Sequence, residues 1–168
     1  TIMKKIILLL VAAVISASSA FAQVPIKYQG EVDLGFSFGV GTYAVNRVNV
    51  HTIQGVKIGD YFSAGIGLGT DIYVEKDVES DLFIPVYLNV KGYLPTSSKV
   101  TPYASFDIGG GFGASEYVKG LSGVMLCPAV GVKIGMFKAQ LGYNVQKISE
   151  SGVSINFSAL QLKAGVVF

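Results

Sequence analysis

The feature that most constrains this chain is an alternation of period two that runs through nearly all of it. From residue 28 to residue 40 the even positions read Tyr28, Gly30, Val32, Leu34, Phe36, Phe38 and Val40. The odd positions between them read Gln29, Glu31, Asp33, Gly35, Ser37 and Gly39. Successive side chains of an extended chain point to opposite faces, so this stretch is a strand with one apolar and one polar face. Strands of soluble proteins average about five or six residues, and this one is more than twice as long. The pattern returns over 47–58, 61–74, 83–94, 101–113, 124–135, 137–146 and 160–168. The eight apolar rows, with Gly92 and Gly110 included, hold 48 residues and not one Asp, Glu, Lys or Arg. Strand charges fall on the opposite rows: Glu31, Asp33, Asp71 and Asp107 against Lys57, Lys91, Lys133, Lys138 and Lys163.

Composition narrows the function classes. One Cys and one His exclude a disulfide-stapled module and a Cys/His zinc domain. No Lys/Arg cluster exists to neutralise a run of phosphates, so no nucleic-acid partner is expected. No cofactor and no metal are expected either.

The amino-terminal segment reads as an address. Lys4 and Lys5 precede an apolar run from Ile6 to Ile15, and Ala20-Phe21-Ala22 has the small-x-small form of a cleavage site. Residues 3–22 are expected to be a signal peptide cleaved before Gln23, with 23–168 as a single barrel domain. Ten apolar residues of helix span about 15 Å, half of a bilayer's hydrocarbon core, which excludes a membrane anchor. Removing the leader takes two of the 13 basic residues, so the formal charge falls from +2 to 0.

Eight long amphipathic strands fit two barrels of opposite sense. A soluble, lipocalin-like calyx lines its cavity with the apolar rows; an outer-membrane barrel turns them to lipid. Two properties of the chain favour the membrane. The polar rows are rich in small residues such as Gly65, Gly67, Gly69, Gly109 and Gly111, as the narrow interior of eight strands requires. Links at Gly59-Asp60, Pro95 to Lys99 and Gly135-Met136 are short, while those at 41–46, 75–82, 114–123 and 147–159 are longer and polar. Short periplasmic turns and longer outer loops are the asymmetry of such barrels.

The closing strand Leu160-x-Leu162-x-Ala164-x-Val166-x-Phe168 ends the chain on an aromatic residue. With Gly65-Ile66-Gly67-Leu68-Gly69, Pro85-Val86-Tyr87-Leu88-Asn89-Val90 and Thr101-Pro102-Tyr103-Ala104-Ser105-Phe106-Asp107-Ile108-Gly109, it resembles the small bacterial outer-membrane β-barrel family of the OmpX and OmpA-barrel kind. The resemblance implies an all-β, eight-stranded antiparallel up-and-down transmembrane β-barrel in the cell outer membrane. It implies contact with outer-membrane lipid and lipopolysaccharide, and recognition of Phe168 by the outer-membrane assembly machinery. A monomer is expected. The chain lacks Trp, so Phe62, Phe137 and Phe168 are expected to serve as the inner aromatic girdle.

Glu31, Asp33, Lys57, Asp71, Lys91, Asp107, Lys133 and Lys163 are expected to form a polar network inside the barrel, and losing Lys91 or Lys133 to lower stability. The alternative is that these groups line a narrow conducting path. Glu75-Lys76-Asp77-Val78-Glu79-Ser80-Asp81 lacks the spacing of a calcium loop and reads as a solvated outer loop. A lipid-modifying enzyme would have to use His51, but no nucleophilic Ser lies two places on and His51-Thr52-Ile53 shows no relay partner. Cys127 reads as a packing residue, and Gly109-Gly110-Gly111-Phe112-Gly113 is no phosphate loop. No catalytic residue is assigned. Ile155, Phe157 and Ala159 break the alternation, which predicts a bulge or irregular loop before the last strand.

Overall fold

A strand that is charge-free along one whole face must cover that face or immerse it, and neighbouring strands of the same kind solve the problem together by curling into a tube. The computed structural model of the protein describes residues 24–74, 81–114, 122–150 and 152–168. They form β1 (Ile26–Val40), β2 (Asn46–Ile58), β3 (Phe62–Val74), β4 (Asp81–Tyr93), β5 (Val100–Gly113), β6 (Ser122–Ile134), β7 (Phe137–Glu150) and β8 (Val153–Val167). Each strand pairs antiparallel with the next, and β1 also pairs with β8 from Glu31↔Val167 to Val40↔Ser158. The sheet is therefore a closed up-and-down barrel, with no strand edge left for water or lipid to satisfy. The leader at 3–22, residues 75–80 of the acidic loop and residues 115–121 of the next outer loop lie outside the described residues.

The apolar rows face out. Leu34, Leu68, Leu88, Val130 and Leu162 are exposed, whereas Glu31, Asp33, Asp71, Lys91 and Asp107 are buried in the lumen. A strand of 13 residues such as β3, tilted by about 40°, rises roughly 33 Å, more than the apolar band of about 25 Å on a membrane barrel. Thr52, Gln54 and Thr70 are polar positions on this outer face. Gln54 Nε2 donates to Thr52 Oγ1 (2.8 Å), which donates to the Glu31 carbonyl (2.9 Å), and the Tyr28 hydroxyl donates to Gln54 Oε1. These groups satisfy one another within the sheet, which lowers the cost of facing hydrocarbon.

The rim that carries both ends of the described chain has the short turns. Gly135 opens the turn between β6 and β7 with φ of 61°, a left-handed conformation that a side chain disfavours. Phe62, Phe137 and Phe168 are exposed around this rim together with Tyr61.

At the opposite, outer rim the structure corrects one expectation. Residues 147–150 and 153–159 are strand, not loop: Lys147↔Asn156, Ile148↔Ile155, Ser149↔Ser154 and Glu150↔Val153 continue the β7–β8 ladder, with Gly152 in a left-handed conformation at its end. No bulge interrupts it, because Gln146↔Phe157 and Asn144↔Ala159 stay in one-to-one register. The alternation fails there because this end of the hairpin lies beyond the row where lipid selects the outward residues. Phe157 instead packs its ring toward Tyr73 (6.1 Å) and Tyr43 (6.3 Å) at the barrel mouth.

Candidate functional site

Strand register decides how the lumen is filled. Tyr87 on β4 pairs with Gly67 on β3 and Gly109 on β5. A Cβ on Gly67 would strike the Tyr87 ring, so the glycine makes room for it. His51 is likewise paired with Gly69, where a Cβ would meet the imidazole. Tyr87 packs with Ile53 and Met125 as a small apolar cluster inside the lumen. The small residues of the polar rows are thus spaces for large neighbours, in a cylinder only just wide enough for side chains.

Toward the inner rim lies a carboxylate–ammonium cluster centred on Glu31. Lys91 Nζ donates to Glu31 Oε1 (2.8 Å), Glu31 Oε2 (3.0 Å) and Asn89 Oδ1 (2.6 Å). Lys138 pairs with Glu31 and, at 2.9 Å, with Asp33. Gln29 Nε2 donates to Glu31 Oε1 (2.8 Å) and to the Tyr93 hydroxyl (2.9 Å). Asn89 donates to Asp107.

The outer side is organised by Asp71. It accepts from His51 Nε2 (2.8 Å), Asn49 Nδ2 (2.5 Å) and Gln146 Nε2 (2.8 Å). His51 Nδ1 lies 2.9 Å from the Tyr87 hydroxyl and 3.1 Å from Lys163 Nζ. A ring protonated on Nε2 serves all three partners, donating to Asp71 and accepting at Nδ1. Gln161 Nε2 donates to Ser37 Oγ (3.1 Å), which donates to Asn49 Oδ1 (2.7 Å), extending the network to β8 and β1.

Sequence reasoning missed Arg47, which sits next to the expected 41–46 loop and is only 1% exposed. Among the described residues its guanidinium has no hydrogen-bond partner, and it lies over the Tyr73 ring at 5.4 Å. Two expected members of the network do not join it. Lys57 and Lys133 are half-buried at the inner rim and form no ion pair; Lys57 lies over the Tyr93 ring at 5.2 Å. Lys133 is paired in register with Lys138, and it is Lys138 that takes the enclosed carboxylates of Glu31 and Asp33. With these corrections the fully buried charges balance: Glu31, Asp33, Asp71 and Asp107 against Arg47, Lys91, Lys138 and Lys163.

His51 does have a carboxylate partner, contrary to the expectation from its neighbours in sequence. Asp71 was invisible there because it lies on the next strand. Both imidazole nitrogens are engaged by Asp71, Tyr87 and Lys163, and no serine is among the ring's hydrogen-bond partners. Cys127 is fully buried, with Sγ 3.5 Å from Gln161 Oε1. No group of three or more His, Cys, Asp or Glu among the described residues is arranged to hold a metal. Phe168 closes the β8 end through paired backbone hydrogen bonds with Gly30, at 2.8 and 2.9 Å.

No protein-family model matches the chain, and no curated protein matches it in sequence. Solved structures do match. Neisserial surface protein A is similar with a TM-score of 0.65 at 14% identity, over 85% of this chain and 97% of that one. The outer membrane enzyme PagL has a TM-score of 0.60 at 9% identity, over 81% and 98%. The N-terminal β-barrel domain of Pseudomonas aeruginosa OprF has a TM-score of 0.51 at 15% identity, over 86% and 100%. At such identities the likeness is one of architecture: the chain shares the fold of these proteins, a closed eight-stranded up-and-down β-barrel.

Proposed function

We propose that the protein is a non-enzymatic resident of the cell outer membrane, exported by its leader, whose lumen is a packed polar stopper and whose work is done by its outer surface. The observation that carries this reading is the balance of the lumen: four buried acids face four buried bases, most of them tied by hydrogen bonds that cross between strands. A conducting path needs mobile water and weakly held charges. Here the side chains of Ile53, Tyr87 and Met125 fill lumen space among the hydrogen-bonded groups. The occupied nitrogens of His51 favour a structural role for the imidazole over a nucleophile-activating one. Envelope support or contact with surroundings through the outer rim is the function left to such a molecule.

Planar-bilayer recording of the pure protein tests the stopper, and steady single-channel conductance would overturn it. Mass spectra of lipid A from cells with and without the protein test the absence of catalysis; a new hydrolysed or acylated species would overturn that part.

A further inference from the structure

At the outer rim, between the 41–45 turn and the ends of β7 and β8, lies a groove of about 370 Å³. This is within the roughly 300–1,000 Å³ of small-molecule sites. Its walls combine two tyrosines, Tyr43 and Tyr143, with the hydroxyls and amide of Thr42, Ser154, Asn156 and Ser158, and no charged side chain lines it among the described residues. Both tyrosines are about half exposed, which leaves their rings open to a ligand.

The groove's height on the barrel is fixed by register. The row Phe38–Leu160–Tyr143 is apolar, and one step farther out comes Val40–Ser158–Val145. Beyond it Asn156 pairs with Lys147, which is exposed. The outer face therefore changes from apolar to polar along the groove, at the level where hydrocarbon gives way to headgroups. The groove is also preformed. Gly39 N donates to Asn46 Oδ1 (3.1 Å) across the β1–β2 turn, and Tyr43 packs against Phe157 of β8. Aromatic faces flanked by neutral hydroxyls and an amide suit a sugar ring, which offers C–H faces and hydroxyl groups. Lys147 beside Asn156 suits a phosphate carried on that sugar.

We propose that this groove binds the sugar headgroup of an outer-leaflet glycolipid, with Tyr43 and Tyr143 against the ring and Asn156 and Ser158 on its hydroxyls. The inference goes beyond the function proposed above and holds whether or not the lumen conducts.

The test uses the protein in nanodiscs made with and without lipopolysaccharide, then released for native mass spectrometry. Wild type is expected to retain the glycolipid, and Tyr43→Ala combined with Asn156→Ala to retain about tenfold less, the effect of losing roughly 1.4 kcal/mol of contact. Tyr61→Ala, on the opposite rim, is the control and should retain as much as wild type. Ser158→Ala, with a heat-modifiability gel to show that each barrel is folded, provides a second, milder variant. Equal retention by wild type and the folded groove variants would overturn the proposal. So would binding of the deacylated headgroup oligosaccharide as tightly as the intact glycolipid, because the site would then serve a free glycan rather than the membrane.

Discussion

Lys91 and Glu31 stand on β4 and β1, strands that are not neighbours, and meet inside the barrel at 2.8 Å. Both side chains are sealed from solvent, and Glu31 is shared with Lys138 from β7. One carboxylate thus ties three strands through the middle of the tube, in addition to the ladders that run around its wall.

Lys91→Met should cost about 3–5 kcal/mol, the usual penalty for removing one partner of a buried pair. Lys133→Met should leave stability unchanged, because Lys133 is half-buried at the rim and outside every ion pair. Thermal unfolding followed by the gel shift between folded and heated barrel checks both. Equal melting of the two variants would contradict the placement of Lys91 in the network.

Gly67→Ala should destabilise the barrel by about 1–3 kcal/mol, because the added methyl meets the Tyr87 ring. Shortening that ring with Tyr87→Leu in the Gly67→Ala background should recover part of the loss. A double-mutant cycle in denaturant reads the coupling between the two positions.

Leu88→Lys places an ammonium on the lipid side of β4, at a position 57% exposed. Near the bilayer midplane such a change costs about 2–4 kcal/mol. Reversible unfolding from lipid vesicles measures it. A neutral result would mean that this face does not meet hydrocarbon.

Cys127 reports on the lumen directly. Its thiol is fully buried against Gln161, so a charged maleimide added to the folded protein should leave it unlabelled, and denaturant should make labelling complete. Rapid labelling of the folded barrel would indicate a water-filled passage.

The strands within the membrane were legible because lipid imposes one chemical rule on every second residue, as Leu34, Leu68 and Leu88 illustrate. Where that rule lapses, at Phe157, the apolar ring packs toward Tyr73 at the barrel mouth and the alternation misleads. The inward charges were legible as a set but not as pairs. Which strands a side chain can reach depends on the stagger of the closed sheet, so neither His51–Asp71 nor Lys91–Glu31 can be read from spacing. Arg47 was overlooked at the edge of an expected loop, although it continues the inward row of Asn49 and His51, and its burial confirms that it faces the lumen.

The seam between β1 and β8 joins residues 31–40 to residues 158–167, the two ends of the folded chain. Until the final strand arrives, the first has a bare flank of unpaired amides and carbonyls that a hydrophobic surrounding would not tolerate. Closing this seam therefore satisfies the flanks of both terminal strands at once. A chain clipped by a single strand at its carboxyl end would forfeit the entire molecule rather than one-eighth of it.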